Sequence, residues 1–292
     1  MKFGLSVALA TPFGAEGEIL IDAMIAQAQR SLTAGCASAT LFGTTGEGSS
    51  IGTQERVRVL EAFLAAGISA KSIVMGVLVD AAEDAAIQAG DALSKGVRNI
   101  LLAPPCYFKN VSDDGLFQWF SAVFALLGDQ ARDIIVYNIP SVTMVPLTVS
   151  LIGRLRTAFP GIVTGVKDSS GDWPFTETLL KAHGDLVILI GDERHLAKGV
   201  RMGGQGAISG MANFAPREVK LMAEEGRDDH RIEDFVVELL KFPVTPAVKA
   251  MVAQLVDDEL WLVVRPPLVS ISSEGRDQLA LAFDALFRSK AA

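Results

Sequence analysis

Two periods alternate along this chain. Short runs dominated by Val, Ile and Leu are followed by longer segments in which apolar residues recur every three or four positions, the marks of strand and amphipathic helix. Phe3 to Ala10 reads as a first strand, and the next segment puts Met24, Ile25, Ala28 and Leu32 on one helical face before Gly35, a suitable C-cap. Ser38 to Phe42 is followed by a helix from Thr53, with Glu55 in its first turn and Val57, Leu60 and Leu64 on its inner side. Ser72 to Val79 leads into an Ala-rich helix closing at Gly96, and Asn99 to Ala103 into a helix from Asp113 to Leu127. Asp133 to Tyr137, Ile162 to Lys167, Leu186 to Ile190 and Ala207 to Gly210 supply four more strands, each with a helical segment behind it.

Strands that are apolar almost throughout are buried on both faces, which predicts a parallel sheet covered by helices. Eight β-α units within residues 1–226 fit a closed (β/α)8 TIM barrel carrying the active site. An open doubly wound sheet fits less well, since no G-x-G-x-x-G follows the first strand. Residues 227–292 change to a helix-only pattern, from Asp228 to Lys290, with no linker-like stretch before it. That predicts a C-terminal helical extension packed on the barrel.

Composition narrows the function. A net charge of −8 argues against nucleic acid as a partner. No apolar run approaches the roughly 20 residues of a membrane span, so no membrane partner is expected. Cys36 and Cys106 lie in unrelated segments without metal-type spacing, which points to a reducing, cytoplasmic setting. The opening MKFGLSVALATPF has a short apolar run behind one lysine, but it reads as the first strand and not as a signal peptide.

The chemistry collects at the C-terminal ends of the strands, where such barrels keep their reactive groups. In VTGVKDSS, Lys167 shares a strand face with Val163 and Gly165 by the two-residue period, so it is expected to be buried. An ammonium without a partner in an apolar interior favours losing its proton, and the neutral amine is a nucleophile able to form a Schiff base. The bland alternative is a lysine whose stem packs while its head reaches solvent. The second strand runs into Gly43-Thr44-Thr45-Gly46-Glu47-Gly48, whose N–H groups and hydroxyls suit a carboxylate or phosphate. The chain's two tyrosines, Tyr107 in PPCYF and Tyr137 in VYNIP, follow and close adjacent strands, so both are expected at the mouth that holds Lys167.

ATPF at 10–13, GTTGEG at 43–48, the Tyr107 segment, YNIP at 137–140, GVKDSSGD at 165–172, GDE at 191–193 and GGQGAISG at 203–210 form an ordered set running from the first strand to the eighth. With them the chain resembles the dihydrodipicolinate synthase and N-acetylneuraminate lyase family, class I aldolases that are (β/α)8 barrels and form a Schiff base with pyruvate. The resemblance implies Lys167 as the imine-forming lysine and Tyr137 as the proton shuttle above it. It implies Thr44 and Thr45 as the pyruvate carboxylate site, with Thr44 linking Tyr137 to Tyr107, and Gly191 and Ile208 as pocket lining. It also implies a homo-oligomer, a tetramer or at least a dimer, in which Tyr107 serves the site of a neighbouring subunit, and no cofactor.

Three departures bear on the substrate. Val142 stands where the synthases carry an arginine for the aldehyde's carboxylate, which puts dihydrodipicolinate synthesis in doubt. Thr53, Arg56 and Asp80 occupy the positions of the lysine feedback site found in some synthases, without its histidine and asparagine, so lysine regulation is not expected. The Tyr107 loop is one residue longer and contains Phe108, Lys109 and Asn110; Lys109 is the one nearby cation the sequence offers in place of the arginine. Glu193 is a candidate for a substrate hydroxyl. Asp192, Glu193 and His195 read as a helix cap and solvated face more than as a metal site, so no metal is expected. His183 and His230 read as surface groups at helix ends, and Cys106 as packing.

The expectation is therefore a pyruvate-dependent lyase for a 2-oxo acid, of the 2-keto-3-deoxy sugar acid or 4-hydroxy-2-oxoglutarate type. The alternatives are a divergent dihydrodipicolinate synthase, a dehydratase or hydratase-aldolase using the same imine, and a non-catalytic keto-acid-binding barrel.

Overall fold

Most strands divide their side chains between two apolar layers, and that division builds the molecule. The computed structural model describes residues 2–288. Strands β1 (Gly4–Ala8), β2 (Ser38–Leu41), β3 (Ile73–Val77), β4 (Asn99–Leu102), β5 (Ile134–Asn138), β6 (Val163–Asp168), β7 (Val187–Ile190) and β8 (Gly206–Ser209) pair in parallel in chain order, and β8 closes on β1. Leu5, Val7, Ile134, Val136, Val166, Ile188 and Ile190 face the helices in the larger core. Ala8, Val74, Leu101, Ile135, Tyr137, Leu189 and Ile208 fill the inside of the barrel. The interior is not wholly apolar, for the Ser6 and Thr40 hydroxyls pair at 2.8 Å within it.

Around the barrel run α1 (Ile21–Thr33), α2 (Thr53–Ala65), α3 (Ala82–Ser94), α4 (Asp113–Leu127), the single-turn α5 (Pro140–Thr143), α6 (Val149–Ala158), α7 (Trp173–Ala182), α8 (Glu193–Arg201) and α9 (Pro216–Glu225). The extension follows as α10 (His230–Leu239), α11 (Val244–Val256) and α12 (Ser273–Phe287). The TIM barrel and its helical extension are thus as the sequence pattern predicts, although Lys290, the expected end of the last helix, lies outside the described residues. Phe214 after β8, Phe235 of α10 and Phe283 of α12 meet edge to face with centroids 5.3–5.9 Å apart, and they fasten the extension to the barrel. Such aromatic pairs add about 0.5–1.5 kcal/mol each to the area they bury.

One face assignment differs from the two-residue rule. Ile134 pairs with Val163 and Ile135 with Gly165, so the register skips Thr164. Val163 therefore packs in the outer core while Gly165 and Lys167 keep the inner face. An unpaired residue in a ladder resets the parity of everything before it.

Candidate active site

The register shift leaves Tyr137 of β5 directly beside Lys167 of β6. Both are buried, Lys167 to 6 % exposure, and both side chains rise at the C-terminal end of the barrel. Lys167 Nζ donates to Tyr137 Oη at 3.2 Å and lies 4.4 Å from the ring centroid. Among the described residues its ammonium makes no ion pair. The next residues turn the other way and fix the two strand ends. Asn138 Nδ2 donates to Asp168 Oδ1 at 2.9 Å, Thr176 Oγ1 of α7 donates to Asp168 Oδ2 at 2.5 Å, and Leu147 N donates to Asn138 Oδ1 at 3.0 Å. Asn138 and Asp168 thus hold the pair of reactive side chains from behind.

The turn after β2 supplies the third member, with Thr44 Oγ1 3.4 Å from Tyr137 Oη. This turn is held in an unusual conformation. Phe42 and Glu47 have φ of 57° and 54°, left-handed values that cost energy for residues with a side chain. Gly48 is obligatory there because a Cβ would lie 1.8 Å from the Phe42 carbonyl oxygen. Arg56 compensates from below, donating to Gly48 O and Gly76 O at 2.6 Å each and stacking 5.1 Å from the Phe42 ring. Burial pulls its guanidinium down to about 10, so it remains charged at neutral pH. Thr11 Oγ1 adds a bond to Gly46 O at 2.8 Å.

Opposite the turn, Glu193 opens α8. Its carboxyl is buried and accepts from Ser209 Oγ at 2.5 Å. Burial pushes it above the usual glutamate range, against the pull of that hydrogen bond. Asp192 caps the same helix and is clasped by Arg194 through Nε at 3.0 Å and Nη2 at 2.6 Å. Burial works to raise Asp192, but the bonds and charge of Arg194 outweigh it and hold the carboxyl low.

These groups surround a cavity of about 290 Å³. Of the expected site residues, Lys167, Tyr137, Thr44, Thr45, Gly191, Ile208, Glu193 and Val142 all line it. Gly191 has no room for a side chain, since a Cβ would fall 2.0 Å from Ser169 Oγ. Tyr107 does not join them. It is 77 % exposed on its loop, edge to face with Phe108, and the backbone N–H groups of Cys106 and Tyr107 are held by Asp80. Lys109 does not replace the missing arginine either, because its ammonium is bound to the carbonyls of Cys106 and Thr143.

Sequence reasoning missed two contributions. Arg194 puts a guanidinium on the cavity wall, and it was hidden among polar residues that read as a helix cap. Val236, Leu239, Leu240, Val244 and Val248 show that the extension, and not the barrel alone, walls the cavity. A helix-only pattern carries no signal for which face will cover the barrel mouth. No group of three His, Cys, Asp or Glu among the described residues is arranged to hold a metal ion, and no helix among them is long and apolar enough to cross a membrane.

The model of the Dihydrodipicolinate synthetase family matches residues 1–286. The chain belongs to that family. A solved dihydrodipicolinate synthase from Agrobacterium tumefaciens is 67 % identical, covers 98 % of this chain and 100 % of its own, and superposes with a TM-score of 0.97. A 4-hydroxy-tetrahydrodipicolinate synthase from Hyphomonas neptunium is 33 % identical over 74 % of this chain and 72 % of its own. An uncharacterised DapA-like lyase from Chloroflexus aurantiacus is 29 % identical over 97 % and 96 %. As a dihydrodipicolinate synthetase family member the protein is a pyruvate-dependent class I lyase of aldolase type.

Proposed function

We propose that this enzyme cleaves or forms a 2-oxo acid of the 2-keto-3-deoxy sugar acid or 4-hydroxy-2-oxoglutarate type through a Schiff base on Lys167. The observation that carries the reading is the 3.2 Å contact of Lys167 Nζ with Tyr137 Oη inside the cavity, with Thr44 Oγ1 3.4 Å beyond. The lysine amine adds to the keto carbon, and loss of water from the adduct leaves the imine. Tyr137 carries the protons of these steps, its hydroxyl held between amine and threonine. As the proton of the hydroxyl on the departing carbon passes to Tyr137, the carbon–carbon bond breaks, its electron pair moves to the protonated imine to leave the enamine, and the aldehyde departs. Protonation of the enamine and hydrolysis then release pyruvate and the free lysine. Thr44 and Thr45 hold the carboxylate, so the addition is effectively intramolecular.

In this reading Gly191 and Ile208 shape the pyruvate half of the pocket, and Glu193 with Ser209 receives a hydroxyl of the other half. Tyr107, exposed with Phe108 at 77 % and 74 %, belongs to a boundary between subunits of a dimer or tetramer, and sedimentation at assay concentration reads that state. A cytoplasmic setting suits the two unpaired cysteines.

Dihydrodipicolinate synthesis is the second reading, favoured by the name of the Agrobacterium relative. Val142 weighs against it, offering no donor to an aldehyde's carboxylate, and Arg194 is already engaged by Asp192. A purely binding barrel is disfavoured because the amine, the phenol and the threonine hydroxyl meet in one relay. The test is reduction with borohydride in the presence of pyruvate, followed by peptide mass spectrometry. The adduct is expected on Lys167; its absence, or an adduct on another lysine with Lys167→Ala folded and active, overturns the reading.

A further inference from the structure

Glu47 and Lys249 form, among the described residues, the only ion pair whose two side chains are both fully buried, with Nζ 2.7 Å from Oε1. They stand 202 residues apart, Glu47 in the turn that carries Thr44 and Thr45 and Lys249 in α11 of the extension. We propose that this pair is a positioning device: through it the helical extension sets the Thr44–Thr45 turn to receive the substrate's carboxylate. The proposal rests on the reading above that this turn binds the carboxylate.

Stability alone does not account for the pair. Taking two charges out of water costs several kcal/mol per ion, and well-packed apolar residues of similar volume commonly hold an interface as well or better. What apolar residues cannot supply is direction. Both oxygens of Glu47 are committed, Oε1 to Lys249 and Oε2 to the backbone N–H of Arg265 at 2.9 Å. Lys249 also donates to Val263 O, so its head is fixed on the extension side. Arg265 continues the chain of contacts, pairing with both oxygens of Glu55 and donating to Ser50 O at 2.9 Å. Phe13 lies under both cations, 4.5 Å from Lys249 Nζ and 4.6 Å from Arg265 Cζ. Thr245 at the start of α11 completes the grip, its hydroxyl donating to Thr44 O at 3.1 Å.

The turn is therefore pinned from the barrel at Gly46 and Gly48 by Thr11 and Arg56, and from the extension at Thr44, Glu47 and Ser50. Thr44 is thus gripped at its carbonyl, and Thr45 lies between that point and Gly46. Releasing the extension side leaves the turn in place but free to shift, and a displacement of about 1 Å is enough to cost up to two orders of magnitude in a positioned reaction.

The probe is pyruvate itself, with the rate of borohydride trapping measured against its concentration. The variants are the charge-free double substitution Glu47→Gln with Lys249→Met, and Thr245→Val. The double variant is expected to raise half-saturating pyruvate by about tenfold or more while its maximal trapping rate stays within about threefold of wild type. Thr245→Val, which removes one hydroxyl and keeps the volume, is expected to raise it by about threefold in the same sense. A double variant with a lowered melting temperature and unchanged half-saturation would make the pair a fastening only and overturn the proposal. Should that variant not fold, unchanged half-saturation in Thr245→Val overturns it equally. Failure of the wild type to be trapped at Lys167 would instead remove the functional reading.

Discussion

Replacing Tyr137 by phenylalanine removes one oxygen from the centre of the relay and little else. The ring is buried inside the barrel and stays, and so does the face on which Lys167 Nζ rests 4.4 Å from the centroid. What is lost is the bond from Nζ at 3.2 Å and the contact with Thr44 at 3.4 Å. A net hydrogen bond contributes about 0.5–1.5 kcal/mol to stability, and a buried donor left without a partner costs about 1–3. A folded protein with a slightly lower melting point is therefore expected. Proton transfer suffers far more, since loss of a positioned acid–base group slows a step by about 10²–10⁴-fold, the equivalent of about 2.7–5.5 kcal/mol in the barrier. Exchange of the pyruvate methyl protons with heavy water, followed by proton NMR, isolates that step without requiring knowledge of the aldehyde. Exchange is expected to fall by about 10²-fold or more, with half-saturating pyruvate moved by less than about threefold. Exchange within threefold of wild type would show that the phenol moves no proton, and the relay would have to be rebuilt around another group.

Aspartate semialdehyde should be turned over with pyruvate at least about 10²-fold worse, in kcat/KM, than the preferred neutral or hydroxylated aldehyde, since Val142 on the cavity wall gives its carboxylate no partner. Parity between them in a product screen by mass spectrometry would instead favour the synthase. Glu193 should make stability depend on pH. Folding raises its pKa, so the folded chain holds this proton more tightly than the unfolded one; the contribution is fully present below about 4.3 and is lost as pH rises through the folded value. Glu193→Gln should therefore melt above wild type at pH 8, with the gap closing as the pH falls toward 4.3, and a gap that widens toward acid would refute the assignment.

The barrel was legible because it is periodic. Eight apolar runs and their helices declare themselves locally, and strand ends came within two residues of those observed, as at Asn99–Leu102 and Val187–Ile190. Lys167, Tyr137 and Thr44 were legible because barrel topology brings successive strand ends to one mouth. Val163 was not, since nothing in VTGV marks the unpaired Thr164. Nor was the pairing of Glu47 with Lys249, for two charges 202 residues apart carry no common pattern. Tyr107 shows the limit of topology from the other side: a strand-end position does not bring a residue inward when its loop is drawn away to Asp80.

Thr164 divides β6 into two registers. Because Val163 already pairs with Ile134 and Gly165 with Ile135, the strand is indexed separately below and above this residue. Deleting Thr164 would let those same partners meet in an unbroken ladder, and Lys167 would still face Tyr137. A deletion of one residue in the lower part of a barrel strand normally turns its side chains inside out. Here the wall carries its own frameshift buffer, so length variation at the bottom of β6 is uncoupled from the placement of the lysine at the top.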